Sequence, residues 1–174
     1  VVSVLRVPDP ADAEVLADLW ATNREHLDPW SPERNAVFYT VEGQLDLLER
    51  RLEAMVQGRG AYFVVLDGDR VVGEINLNDL VRGAFQNAHV GYWLAADVQG
   101  RGLMTRAVEE ITTHAFDVLR LHRLQAATLA HNERSQAVLR RARFESFGRA
   151  PRYLKIGGQW QDHVLFHRFT PHDV

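Results

Sequence analysis

Residues 87–118 constrain the fold more than any other stretch. "NAHVGYWLA" is rich in residues that favour strands, and it is followed at once by a turn, Gln99-Gly100-Arg101-Gly102. The chain then places Met104, Val108, Ile111, Ala115 and Val118 on one face of a predicted helix. A helix N-terminus carries unpaired main-chain N–H groups and a partial positive charge, so it binds anions readily. Gly100 and Gly102 let those amides approach a ligand with no Cβ in the way, and Arg101 and Arg106 add charge. Two common phosphate loops do not fit. The Walker pattern needs a lysine that the segment lacks, and the dinucleotide fingerprint G-x-G-x-x-G needs glycine where Thr105 stands.

The charge distribution agrees with an anion at this turn. Residues 1–100 hold 8 Arg against 16 Asp and Glu, whereas residues 101–152 hold 10 Arg against 5. One half of the chain is therefore suited to a polyanion and the other to a cation. The chain has no cysteine, which excludes disulfides, thiolate metal ligands and a cysteine nucleophile. Its longest apolar runs, such as "YFVVL" (Tyr62 to Leu66), are too short to span a bilayer, and "VVSVLRVPDP" lacks the pattern of a secretory signal. These features predict a cytoplasmic protein with no membrane partner.

No repeat or linker interrupts the 174 residues, so one domain, 1–174, is expected. "VSVLRV" reads as a strand, and "DAEVLADLWATNREHL" as a helix from Asp12 ended by the prolines of "DPWSPERN". A second helix, with Leu45, Leu48, Leu52, Met55 and Val56 at helical spacing, stops at Gly58. "AYFVVLDGDRVVGEINLNDL" is a hairpin turned at Asp-Gly. After the glycine turn and its helix come a strand "RLQAATLA", a helix "NERSQAVLRRARF" and a final strand pair around Gly157-Gly158. Antiparallel strands followed by strand–helix–strand predict an α+β layered sheet.

The spacing Gln99-Gly100-Arg101-Gly102-Leu103-Met104 after a strand resembles the acetyl-CoA motif Q/R-x-x-G-x-G/A of the GNAT superfamily of N-acetyltransferases, with Met104 in place of the last small residue. "REHLDPW", "VGYWLAADVQGRGLMTRAV", "HNERSQAVLRRARFESFG" and "IGGQWQDHVLF" follow in the order of one branch, which resembles the ribosomal-protein N-terminal alanine acetyltransferases. Asn132, Ser135, Phe144, Gly148, Gly158, Trp160 and Asp162 match that branch's late motif; Arg143 stands where the branch prefers glycine and Phe147 where it often has glutamate. Glycine there ends a helix in the left-handed conformation, so Arg143 predicts either strain of about 1 kcal/mol or a different cap.

The resemblance implies a mostly antiparallel sheet with a splayed central strand pair, flanked by helices on both faces. It implies that Gln99, Gly100, Arg101, Gly102, Leu103, Met104 and Thr105 hold the pyrophosphate of coenzyme A. It also implies that Asn132 and the strand edge at Trp93, Leu94 and Ala95 hold the pantetheine arm, and that Ser135 protonates the departing thiolate. Trp30 and Glu74 are the candidate acceptor-binding residues, although Trp30 reads equally as a core anchor. With no cysteine, direct attack by the amine in a ternary complex is the natural route. The carboxylate that one relative uses as a base falls on Leu154, which cannot serve. His89, on the strand before the cofactor loop, is the candidate base because histidine exchanges protons near neutral pH, with Glu74 and Asp79 as alternatives. An α-amine of pKa near 8 is already about a tenth neutral at pH 7, so a site with no evident strong base suits it better than lysine.

The expected activity is therefore acetyl transfer from acetyl-CoA to a protein or peptide α-amine, releasing coenzyme A. A small-molecule amine acceptor and a non-catalytic CoA-binding module remain open alternatives. His163 and His167 lack the glutamate of a zinc-protease motif, so no metal is expected. No recognition module for nucleic acid is present either. A homodimer is the family's analogy.

Overall fold

The computed structural model describes residues 3–172. The Asp67-Gly68-Asp69 turn reverses the chain as its sequence predicts. Gly68 takes φ +63° and joins β2 (Ala61–Asp67) to β3 (Arg70–Val81) in antiparallel register. With β1 (Leu5–Arg6), β4 (Asn87–Leu94), β5 (Arg123–Leu129), β6 (Glu145–Ile156) and β7 (Gln159–Phe169), the described residues form a seven-stranded sheet in the order β1-β2-β3-β4-β5-β7-β6.

Every neighbouring pair is antiparallel except β4 and β5. That parallel pair is joined only through Asn87↔Arg123, Ala88↔Leu124 and His89↔Gln125, although β4 runs on to Leu94 and β5 to Leu129. Beyond His89 the two strands part, and the sheet is forked at its centre. This is the α+β architecture that the residues predicted, with the splayed pair that the family resemblance implied.

Alternation along the strands separates two cores. Val64 and Val71 face α1 (Asp12–Thr22) and α3 (Val41–Val56), packing with Ala13, Leu16 and Leu48. Val65 and Val72 face the other side, packing with Met104, Ala107, Val108 and Ile111 of α4 (Leu103–Thr113) and with Leu139 of α5 (Glu133–Arg141).

Three local outcomes differ from the sequence reading. The first predicted helix divides into α1 and a short α2 (Arg24–Leu27) at Asn23. The Asn23 amide donates back to the Leu19 carbonyl at 2.9 Å, while its Oδ1 accepts from Ala96 N–H at 2.9 Å, so this side chain competes with the helix ladder. Second, Val118 is 66% exposed rather than part of the α4 stripe. A π-helical turn, His114–Val118, follows α4, and its extra residue rotates the stripe so that Ala115 stays buried as expected and Phe116 is buried in place of Val118. Third, Arg143 keeps the glycine cap without glycine. It takes φ +61°, its N–H bonds Arg140 O at 3.0 Å, and Phe144 N–H bonds Leu139 O at 2.9 Å. These are the two bonds of a Schellman ending, and Leu139 and Phe144 are the buried apolar pair that accompanies it.

Candidate active site at the fork between β4 and β5

The fork exposes main-chain groups that an unbroken sheet would pair. Ala95 N–H bonds Val72 O on β3 at 2.8 Å. Hydrogen-bonding groups alternate along a strand, so Trp93 and Ala95 turn theirs to β3 while Tyr92 and Leu94 turn theirs toward the opening. Of the three edge residues expected, Leu94 keeps that place. Trp93 and Ala95 turn their main-chain groups to β3, and Tyr92 turns its own to the opening, as the register of the β3–β4 ladder sets.

The glycine turn lies at the end of this edge. Gly100 and Gly102 take φ +77° and +76°, and a Cβ built on either meets nothing within 4 Å, so both sit beside open space. Gly102 caps α4 without a side-chain bond, and the first helical hydrogen bond is Arg106 N–H to Gly102 O at 3.1 Å. The amides of Leu103, Met104 and Thr105 therefore point out of the helix start. Leu103 and Met104 turn their side chains into the core, so Met104 does not crowd the loop. The Arg101 guanidinium reaches Asp97 O at 3.1 Å and Asp67 Oδ2 at 3.5 Å. Such a turn, with bare amides and exposed cationic side chains, fits a diphosphate.

The far wall of the fork is the start of α5. Asn132 caps this helix by accepting Ser135 N–H on Oδ1 at 3.1 Å, which leaves its NH₂ group as what it offers a ligand. Ser135 Oγ lies 2.8 Å from the Tyr92 hydroxyl, which also sits 3.2 Å from Ser135 O. Burial pushes the Tyr92 phenol well above its usual pKa, a shift that the bond to Ser135 partly offsets, so Tyr92 stays protonated and can donate. Gln99 bridges the loop to its neighbours: Nε2 lies 2.6 Å from His26 Nε2, and Oε1 accepts from Arg134 at 3.4 Å.

Residues 3–145 match the Acetyltransferase (GNAT) domain. The chain belongs to the GNAT acetyltransferase family. It is an N-acetyltransferase. It is 37% identical over 170 residues to the [Ribosomal protein uS5]-alanine N-acetyltransferase of Escherichia coli (strain K12), covering 97% of this chain and 88% of that protein. It is 36% identical over 172 residues to the probable N-acetyltransferase YjcK of Bacillus subtilis (strain 168), covering 97% and 94%. Among solved structures, the ribosomal-protein-S5-alanine acetyltransferase of Vibrio fischeri superimposes with a TM-score of 0.92 at 35% identity, covering 97% of this chain and 93% of that one. Mycobacterium smegmatis RimJ, solved with CoA-disulfide, has a TM-score of 0.92 at 29% identity, covering 95% and 80%.

On this GNAT frame the remaining candidates fall unevenly. His89 lies at the closed end of the fork, its Nε2 3.2 Å from the Gln125 carboxamide and its Nδ1 3.7 Å from Asp79 Oδ2. Its register places it on the same face of β4 as Gly91 and Trp93, the face that α1 and α3 cover further along the sheet. Glu74 is not open to an acceptor. It is 3% exposed, one oxygen bonds Arg51 Nη1 of α3, and the other accepts from Trp93 Nε1 at 2.8 Å. A carboxylate buried among its own partners is a structural tie between α3, β3 and β4. Trp30 is no core anchor, being 39% exposed, with its ring 5.5 Å from that of His131 beside Asn132. Its 3₁₀ turn, Asp28–Trp30, leads to Ser31, whose carbonyl accepts Gly157 N–H of the β6–β7 turn at 3.2 Å. The segment thus joins the β6–β7 turn to the neighbourhood of Asn132. Leu154 is 43% exposed on β6.

Sequence reasoning missed Tyr92. It was hidden in "HVGYW" as one aromatic among apolar neighbours, and the available signal was its alternation with Trp93, which puts the two rings on opposite faces.

Proposed function

We propose that this enzyme transfers the acetyl group of acetyl-CoA to the α-amine of a protein or peptide, by direct attack in a ternary complex. The observation that carries the proposal is the Ser135 hydroxyl, 2.8 Å from the Tyr92 hydroxyl and beside an open strand edge that leads to the cationic glycine turn. The amides at 102–105 would hold the diphosphate, with Arg101 and Arg106 alongside. The edge groups of Tyr92 and Leu94, with the Asn132 NH₂, would hold the pantetheine arm as an added strand. Acetyl-CoA supplies a thioester whose carbonyl carbon the amine attacks, and the C–S bond then breaks.

Ser135 gives its proton to the departing sulfur and is held in position by the Tyr92 hydroxyl, 2.8 Å from its own. His89 takes up the proton lost by the amine, with the Asp79 carboxylate close to its other ring nitrogen. The absence of cysteine favours this direct route over an acyl-enzyme. The protein acceptor is supported by relatives named as alanine acetyltransferases of ribosomal protein uS5.

Thiol release from acetyl-CoA across a panel of amines tests the reading. A peptide with a free N-terminal alanine should be used, while its N-acetylated form, lysine-only peptides and polyamines should not. Preference for a small amine would replace the acceptor assignment. Gly102→Trp should abolish coenzyme A binding by filling the space beside the turn; a variant that bound normally would move the diphosphate elsewhere.

A further inference from the structure

His89 and Gln125, the last paired residues before the fork, belong to a side-chain network that fixes where a proton can sit. One end of the Gln125 carboxamide lies 3.0 Å from Arg123 Nε and 3.3 Å from Arg123 Nη2. A guanidinium has only N–H groups to give, so that end is the carbonyl oxygen. The NH₂ end then faces His89 Nε2 at 3.2 Å and donates to it. A neutral imidazole carries one proton, and an Nε2 that accepts leaves that proton on Nδ1.

A β-bulge brings Asp79 to the other ring nitrogen. Between the pairs Asn78↔His89 and Val81↔Asn87, β3 holds one residue more than β4. Within this bulge Asp79 takes φ +50°, a left-handed conformation that aspartate tolerates better than most side chains. Strict alternation would turn Asp79 away from the face that Asn78 and His89 share. Instead its carboxylate reaches 3.7 Å from His89 Nδ1, which is buried and has no hydrogen-bond partner among the described residues. A buried N–H is thus held one short movement from an anion, and a positive charge on the ring would close the gap.

Arg123 is itself held from the next strand. Its Nη2 lies 3.1 Å from His167 Nδ1 on β7, and its Cζ lies 5.0 and 5.3 Å from the centres of the Phe147 and Phe169 rings. Burial and the Arg123 charge lower the His167 pKa against the opposing pull of Glu145, so His167 accepts from Arg123 as a neutral ring. The charged and titratable groups that bear on His89 are therefore Asp79 from β3, Arg123 from β5 through Gln125, and behind them His167 and Glu145.

We propose that Gln125, turned by Arg123, is a positioning residue that keeps His89 in the Nδ1–H form, with the Nε2 lone pair kept for the proton of the amine. The inference rests on the reading of His89 as the base. As the proton arrives, the Gln125 NH₂ gives up Nε2, the Nε2 lone pair forms the new N–H bond, and Asp79 balances the charge at Nδ1–H. The amine nitrogen keeps the electron pair of its broken N–H bond.

Magnetic-resonance correlation spectra of the enzyme labelled with nitrogen-15 at its histidines read the tautomer directly, with or without turnover. Above the pH of histidine titration, wild-type His89, assigned by its loss in His89→Asn, should carry its proton on Nδ1, whereas a histidine free in water prefers Nε2. Gln125→Glu still accepts from Arg123 but offers Nε2 no donor, so there His89 should carry a proton on Nε2. Its kcat should fall about tenfold, with KM for acetyl-CoA within about twofold. The acid limb of its kcat/KM profile should move up by about one pH unit, because a carboxylate favours the charged ring. Arg123→Lys keeps a donor for the carboxamide oxygen and should retain the wild-type tautomer; Arg123→Leu should lose it.

An Nε2–H or doubly protonated ring in the wild type, or a tautomer unchanged by Gln125→Glu, would overturn the proposal. So would the expected spectra with unaltered kinetics. His89→Asn shows which part has failed. If it turns over like the wild type, the reading of His89 as the base falls and takes the role of Gln125 with it. If it is slow while Gln125→Glu is not, Gln125 alone is dismissed.

Discussion

The phenol oxygen of Tyr92 and the hydroxyl of Ser135 lie 2.8 Å apart, linking the free edge of β4 to the first turn of α5. The fork is thus bridged by a pair of hydroxyls. Ser135→Ala removes the proposed proton donor and should lower kcat about tenfold or more with little change in coenzyme A affinity. Tyr92→Phe keeps the serine but frees its rotation, so its loss should be smaller. Steady-state kinetics with calorimetric binding checks both, and unchanged turnover in Ser135→Ala, with chemistry limiting, would remove Ser135 from the reaction.

Glu74 is held by Arg51 and Trp93, so its loss should appear first as instability. Glu74→Gln leaves the Arg51 guanidinium without its counter-charge in a site where side-chain exposure is 17% for Arg51 and 4% for Glu74. Breaking one partner of a buried pair costs about 3–5 kcal/mol. Urea denaturation should show this, and Arg51→Met combined with Glu74→Gln should recover much of it. A variant of unchanged stability that had lost transfer would instead make Glu74 part of the chemistry.

Arg143 occupies a left-handed position, φ +61°, that an L side chain disfavours. Its charge also lies near Arg168, which donates to Ala142 O at 2.7 Å. Arg143→Gly relieves the backbone strain and the repulsion together, and should raise stability by about 1 kcal/mol. Thermal unfolding of the two proteins is the test. A lower midpoint would mean that Arg143 makes a contact that outweighs its strain.

Asp12 anchors the start of α1 and gives stability a dependence on acid. Desolvation alone would raise its pKa, but the Arg6 guanidinium, at 2.9 and 2.7 Å, and the Asp9 N–H, at 2.7 Å, together hold it below its ordinary 3.8. A carboxylate whose folded pKa is depressed stabilises fully above its unfolded pKa and loses that contribution as pH falls through the folded one. Wild type should therefore exceed Asp12→Asn in stability at pH 6, with the gap narrowing below about pH 4. Denaturant midpoints across that range check the sign, and a gap independent of pH would show that only packing differs.

Much of the fold was legible because its signals are local. Asp67-Gly68-Asp69 specifies a hairpin by backbone preference alone, and the α4 stripe follows from helical spacing. The cofactor loop was legible for the same reason: two glycines ahead of a helix describe a feature of consecutive residues. Val118 escaped because one extra residue in a π turn leaves no trace in apolar spacing. Glu74 misled because its sequence neighbours say nothing of Arg51, which comes from another helix.

The sequence by itself determined the strand–glycine–helix unit, the Asn132–Ser135 cap and the sign of charge in each half, since all depend on neighbours along the chain. Tertiary structure alone decided that β4 and β5 part after His89, that Tyr92 meets Ser135, and that Glu74 is tied to Arg51 and Trp93. These arise where strands and helices distant in sequence converge, and there the electrostatic and hydrogen-bonding partners of a side chain are set by packing rather than by chain order.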